Sequence, residues 1–151
     1  MKFIPYMILP LLFSACASHE DQLTQRHKQW NVHKPNEYVI ETCNTGFFGG
    51  WCYRYVVVQD QVVAEMNYFE YDEDKHWETE TDVSELEEPV AAMFQSAQNQ
   101  VDDLTKLEFN KAWGFIREFY AEVGTEESGE IVKCFTPESH DISNCHSDVV
   151  F

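Results

Sequence analysis

Cys43, Cys52, Cys134 and Cys145 are the side chains best able to do covalent chemistry in the body of this 151-residue chain. In an oxidising compartment an even set of thiols defaults to disulfides, and four cysteines allow three pairings that sequence alone does not rank. The simplest pairing is Cys43 with Cys52 and Cys134 with Cys145, because each closes a short polar or glycine-containing turn at low entropic cost. With His140 and His146, the C-terminal cysteines also form a cluster of zinc-type ligands. It lacks the short spacings of structural zinc sites, and adjacent Cys145 and His146 are poorly placed to face one tetrahedral centre. Ser139, His140 and Asp141 carry the residue types of a hydrolytic relay, but consecutive side chains cannot form one, and there is no G-x-S-x-G elbow. The segment from Asp72 to Glu78 crowds carboxylates as a calcium loop does. However, Trp77 stands where an EF-hand needs glycine, and Val83 where it needs the bidentate glutamate. No catalytic residue, metal or cofactor is therefore expected. Phe47, Phe48 and Trp51 place three rings in a glycine-bearing loop that the flanking cysteines could clamp, a candidate partner-binding platform.

Cys16 has a different chemistry. Lys2, an apolar run from Phe3 to Phe13 and the small pair Ser14-Ala15 precede it. That run is too short to span a bilayer and reads as a removable signal. Leu12-Phe13-Ser14-Ala15-Cys16 resembles the bacterial lipobox, in which the cysteine thiol is alkylated by a diacylglyceryl group and becomes the new N-terminus. Several acyl chains on one residue exceed the marginal hold of a single myristoyl group. Ala17, rather than Asp, after the lipidated cysteine implies, by the sorting habit of Gram-negative lipoproteins, the periplasmic face of the outer membrane. The competing reading is an A-x-A site that releases a soluble protein after Ala17.

The chain holds 27 acidic against 10 basic side chains. Loss of Lys2 with the signal takes the formal charge from −17 to −18. Such a field excludes nucleic acid as a partner and is repelled by anionic lipid, so an acyl anchor would hold the domain at a surface its charge avoids. Cationic partners or divalent ions are the natural attractors. Eleven of the carboxylates lie from Glu65 to Glu88 against the single basic Lys75, a pattern expected of a solvated loop.

Residues 1–15 are read as the signal, 16–35 as a lipidated tether ending in a short helix, and 36–151 as a single domain. Pro35 marks the boundary by biasing Lys34 toward extended backbone. Residues 37–43, 52–59 and 62–68 are rich in aromatic and β-branched side chains and predict an N-terminal meander. Ser84 with Glu87 fits a capping box, and Pro89 suits a first helical turn. Val90, Met93, Phe94, Ala97, Val101 and Leu104 then form one face of the main amphipathic helix. Residues 106–110, 114–123 and 130–135 predict three more strands, the second interior because aromatics occupy both its faces. Residues 124–129 predict a charged turn, and residues 148–151 an edge strand or tail. The expected fold class is α+β: an antiparallel sheet packed by one main helix and pinned by disulfides.

Trp30, Tyr38-Val39-Ile40, Cys43, Cys52-Tyr53-Arg54, Val56-Val57-Val58, Val62-Val63, Leu86 to Pro89, Met93-Phe94, Leu107-Glu108-Phe109-Asn110 and Trp113-Gly114-Phe115-Ile116-Arg117 make up a pattern spanning most of the chain. The pattern resembles a group of small bacterial lipoproteins and secreted domains of unknown function. The resemblance implies a hairpin, a helix and a strand pair around a glycine-aromatic-proline turn, where this chain has Gly114-Phe115-Ile116, and it transfers no catalytic residue. The reading is a lipid-anchored envelope protein acting by non-enzymatic binding or as an accessory. An acidic inhibitor or scavenger of cationic proteins is the alternative within binding, and a hydrolase the disfavoured one outside it.

Overall fold

The computed structural model describes residues 17–46 and 49–146. Cys16, Phe47, Phe48 and the tail at 148–151 lie outside that range.

The first helix, α1 (His19–His33), starts at Ser18, whose hydroxyl accepts the Asp21 amide at 3.1 Å. Glu20 and Asp21 sit in its first turn, where the helix dipole favours negative charge. Pro35 ends it. Leu23 and Trp30, two turns apart on one face, are 2 % and 1 % exposed. The Trp30 ring meets Tyr38, Phe115 and Phe135 edge-on, at centroid distances of 5.4, 5.9 and 6.1 Å. The expected tether over 16–35 is therefore corrected: from His19 onward it is a docked helix and part of the domain. Its apolar face is too sparse to stand out as a pattern, yet one tryptophan buries enough surface to seat it. Gly114 allows the approach. Its φ is +89°, and a Cβ there would meet Gln29 of α1 at 2.9 Å.

Seven strands follow in one antiparallel sheet: β1 (Glu37–Thr45), β2 (Trp51–Val58), β3 (Gln61–Phe69), β4 (Glu78–Thr79), β5 (Leu104–Phe109), β6 (Ile116–Val123) and β7 (Glu126–Pro137). Their spatial order is β4-β3-β2-β1-β7-β6-β5. Two meanders are thus joined through β1 and β7, with β6 interior as its aromatics predict. Disulfides link Cys43 to Cys52 and Cys134 to Cys145, the local pairing. The charged turn expected at 124–129 is mostly strand, since Glu126 pairs with Val123 and the reversal needs only Gly124 and Thr125.

The second helix, α2 (Pro89–Asn99), buries Val90, Met93, Phe94 and Ala97 as expected. Its cap differs from the capping box. The Glu88 carboxylate accepts the Val90 and Ala91 amides, and the Tyr38 hydroxyl bonds the same group. Ser84 instead turns to Asp82. The helix stops at Asn99, so Val101 falls in a 3-10 turn and Leu104 opens β5.

Both helices lie on one face of the sheet. α2 packs on β6, and α1 packs on α2 and β5. Trp30→Ala should lose about 3–5 kcal/mol, the usual cost of emptying a large aromatic core site. Urea unfolding measures it, and a loss under about 1 kcal/mol would mean that α1 is a tether after all.

Candidate functional site

Strand alternation separates two sets of polar and aromatic side chains on opposite faces of the sheet. On the face away from the helices, the β1 register sets Glu41 opposite Arg54 of β2 and Cys134 of β7, and Cys43 opposite Cys52. Glu41 is 4 % exposed and has no unused role. Its Oε2 accepts Arg54 Nε at 2.8 Å, and its Oε1 accepts the Tyr68 hydroxyl at 2.9 Å. Arg54 also donates to the Ile142 carbonyl at 3.2 Å and lies 4.7 Å from the Trp77 ring. Trp77 in turn packs on Tyr68 at 4.3 Å. Burial, then the bond to Glu41, pushes the Tyr68 phenol up, so it stays a neutral donor. This is a clamp between the two disulfides and the segment after β7, with neither acid nor base left over for chemistry.

On the helix side, Trp51, Tyr53 and Tyr55 of β2 stand opposite Phe69, Asn67 and Glu65 of β3. Trp51 and Phe69 are 5.3 Å apart, Phe69 and Tyr71 5.5 Å, and Tyr53 and Tyr55 6.3 Å. The outer rings face solvent: Trp51 is 40 %, Phe69 37 % and Tyr71 73 % exposed. At the inner end Glu65 is buried, with Asn67 Nδ2 donating to it at 3.1 Å. Beside the strip lies a cleft of about 370 Å³ whose lining includes Asn44, Ser96, Gln100, Ser128 and Glu130. Burial raises the Glu130 carboxyl, partly offset by a hydrogen bond with Ser96. Burial first, then the Glu65 charge, pushes both Tyr53 and Tyr55 up. The strip therefore combines neutral phenols, exposed ring faces and carboxylate charge.

Of the residues singled out by sequence, Cys16, Phe47 and Phe48 fall outside the described range, while Trp51 joins Phe69 and Tyr71. Two convergent sets of metal-ligand types occur among the described residues, Glu41 with Cys43 and Cys52, and Glu41 with Cys134 and Cys145. Every cysteine in them is in a disulfide, and a disulfide sulfur has no thiolate to offer. His140 turns to Glu37 and the Asp141 carboxylate accepts the Ser143 amide and hydroxyl, while the Ser139 hydroxyl accepts only the Asp141 backbone amide, so the three side chains form no relay. In the acidic loop, Asp72 is turned inward on its own segment, accepting the Asp74 amide and meeting His76 Nδ1 at 2.8 Å. The acidic run is also less uniform than expected, with Glu65 buried in a strand and Glu88 half-buried at the cap. The sequence pattern singles out neither Glu41 nor Tyr71, and it assigns Glu65 only to the solvated acidic run. Hairpin register counted outward from the Cys43–Cys52 pair would have placed Arg54 opposite Glu41. Comparison with protein families, curated proteins and solved structures finds no match to this chain.

The folded chain holds protons on Glu130 and Glu88 that the unfolded chain releases near the ordinary glutamate range. Their stabilising effect is complete below that range and is lost as pH rises through their folded values. Stability should therefore rise as pH falls from neutral toward the ordinary glutamate range. Glu130→Gln should raise the melting temperature at the upper pH and flatten the slope. An unchanged slope in thermal melts across that window would contradict the assignment.

Proposed function

We propose that the protein is a lipid-anchored bacterial envelope protein, held at the periplasmic face of the outer membrane through Cys16, that acts by binding and not by catalysis. The observation that carries the anchor is the sequence from Leu12 to Cys16 after a basic start and a short apolar run. α1 begins only three residues beyond Cys16, so the anchor would leave almost no slack and hold the domain close to the lipid surface. The formal charge of −17 supports a cationic protein as partner and disfavours direct adhesion to anionic lipid. The hydrolytic reading has little to rest on, since Glu41 and Tyr68 are spent on the clamp, His140 meets Glu37, and the Asp141 carboxylate accepts from Ser143.

Fractionation of cells tests the anchor. Cys16→Ser should move the protein from the membrane pellet to the soluble or precursor pool, while wild type stays in the outer-membrane band of a sucrose gradient. A wild-type mature chain that begins at Ser18 and partitions into buffer would overturn the reading. Co-purification at low and high salt tests the partner, which should be basic and released by salt.

A further inference from the structure

The helices cover only part of their face of the sheet, and the part left bare is chemically distinctive. α1 and α2 reach β5 and β6 and close over Tyr38 and Phe135 at the β1–β7 seam, whereas Trp51, Phe69 and Tyr71 remain open to solvent. Three adjoining exposed rings are a larger apolar surface than scattered surface hydrophobics require. They are also fixed in place. The Gly50 backbone passes directly beneath Phe69 and Tyr71, so that a Cβ there would stand 2.6 Å from the Tyr71 ring and 3.1 Å from the Phe69 ring, and the Glu70 amide donates to the Gly50 carbonyl at 2.6 Å. Rings held this way lose little freedom on binding.

At the inner end of the same face, Glu65 is 5 % exposed and its hydrogen-bond partner is the neutral amide of Asn67. Among the described residues, no lysine or arginine pairs with it, in contrast to Glu41, which has Arg54. A buried carboxylate without a cation lacks the other half of an ion pair. From Trp51 to Tyr55 the strip runs about 13 Å, four strand steps, which suits an extended polypeptide better than a compact small molecule. Ring faces attract arginine and lysine, and the chain's acidic charge would bring such a segment in.

We propose that the uncovered strip of Trp51, Tyr53, Phe69 and Tyr71 docks an extended basic segment of a protein partner, whose arginine or lysine side chains lie over the rings and one of which pairs with Glu65. This rests on the reading of a cationic protein partner and names the surface that receives it.

A fluorescein-labelled peptide of alternating glycine and arginine is the probe, its anisotropy read at about 0.05 M and about 0.3 M salt. Trp51→Ala/Tyr71→Ala leaves the net charge unchanged and should weaken binding about tenfold at both salts. Glu65→Gln should weaken it several-fold, and an Asp72→Asn/Glu73→Gln/Asp74→Asn triple should weaken it only at low salt. Thermal melts confirm folding, and Tyr71→Ala alone, at the most exposed ring, serves if the double variant is unstable. Equal binding by wild type and the aromatic variants would overturn the strip while leaving the cationic-partner reading intact. Failure of wild type to bind the peptide at either salt would sink that reading itself. Stronger ring-dependent binding of neutral chitotetraose or of zwitterionic phosphatidylcholine vesicles would replace the basic segment with a glycan or a lipid surface.

Discussion

The pairing of β1 with β7 is the contact on which the remaining structure depends. Each meander is a local object: β1 to β4 turn back on their neighbours, and so do β5 to β7. Only the seam between β1 and β7, which brings Glu41 against Cys134 across 93 residues, makes them one sheet. Closing so long a loop costs chain entropy that local contacts do not recover. The two faces of the seam supply the return. On the helix side, Trp30 packs against Tyr38 of β1 and Phe135 of β7 together. On the far side, Arg54 draws Glu41 and the Ile142 carbonyl to one guanidinium, while Cys145 ties the segment after β7 back to Cys134.

This division explains where the molecule has surface to spare. Among the described residues, two helices of 15 and 11 residues roof the seam and the C-terminal meander but not all seven strands. The far end of β2 and β3 is left as aromatic sheet that neither α1 nor α2 covers. An edge of this kind invites association, and β4, only two residues long, blunts the adjoining strand edge. What remains available is a face, bounded by carboxylates and carried on β2 and β3, of which β2 is tied to β1 by the Cys43–Cys52 bridge.

Much of the fold was legible because its signals are local. The strand pairs, the α2 face from Val90 to Ala97 and the two short disulfide loops each follow from periodicity or spacing within a few residues. What escaped is long-range. α1 offers too few apolar residues to announce that Leu23 and Trp30 are core, because its docking is decided by Tyr38, Phe115 and Phe135 elsewhere in the chain. Glu41 and Glu65 look like ordinary outward strand residues until register and layering show what covers them. The aromatic platform is half-visible in the sequence: Trp51 stands out through its own loop, whereas Phe69 joins it only across the β2–β3 register and Tyr71 through Phe69. The short stretch from Asn99 to Leu104 continued the helical period by coincidence, and backbone geometry, not side-chain pattern, ends α2 there.

Site-specific photo-crosslinking in the lipid-anchored full chain tests the central claim, that this protein works through the bare aromatic face. A photoreactive phenylalanine analogue would replace Tyr71 on that face and, in a parallel strain, exposed Val123 at the tip of β6. The account predicts a discrete adduct with a basic polypeptide from position 71, diminished by salt, and none from position 123. Adducts of equal yield from both positions, or adducts with lipid alone from position 71, would contradict it.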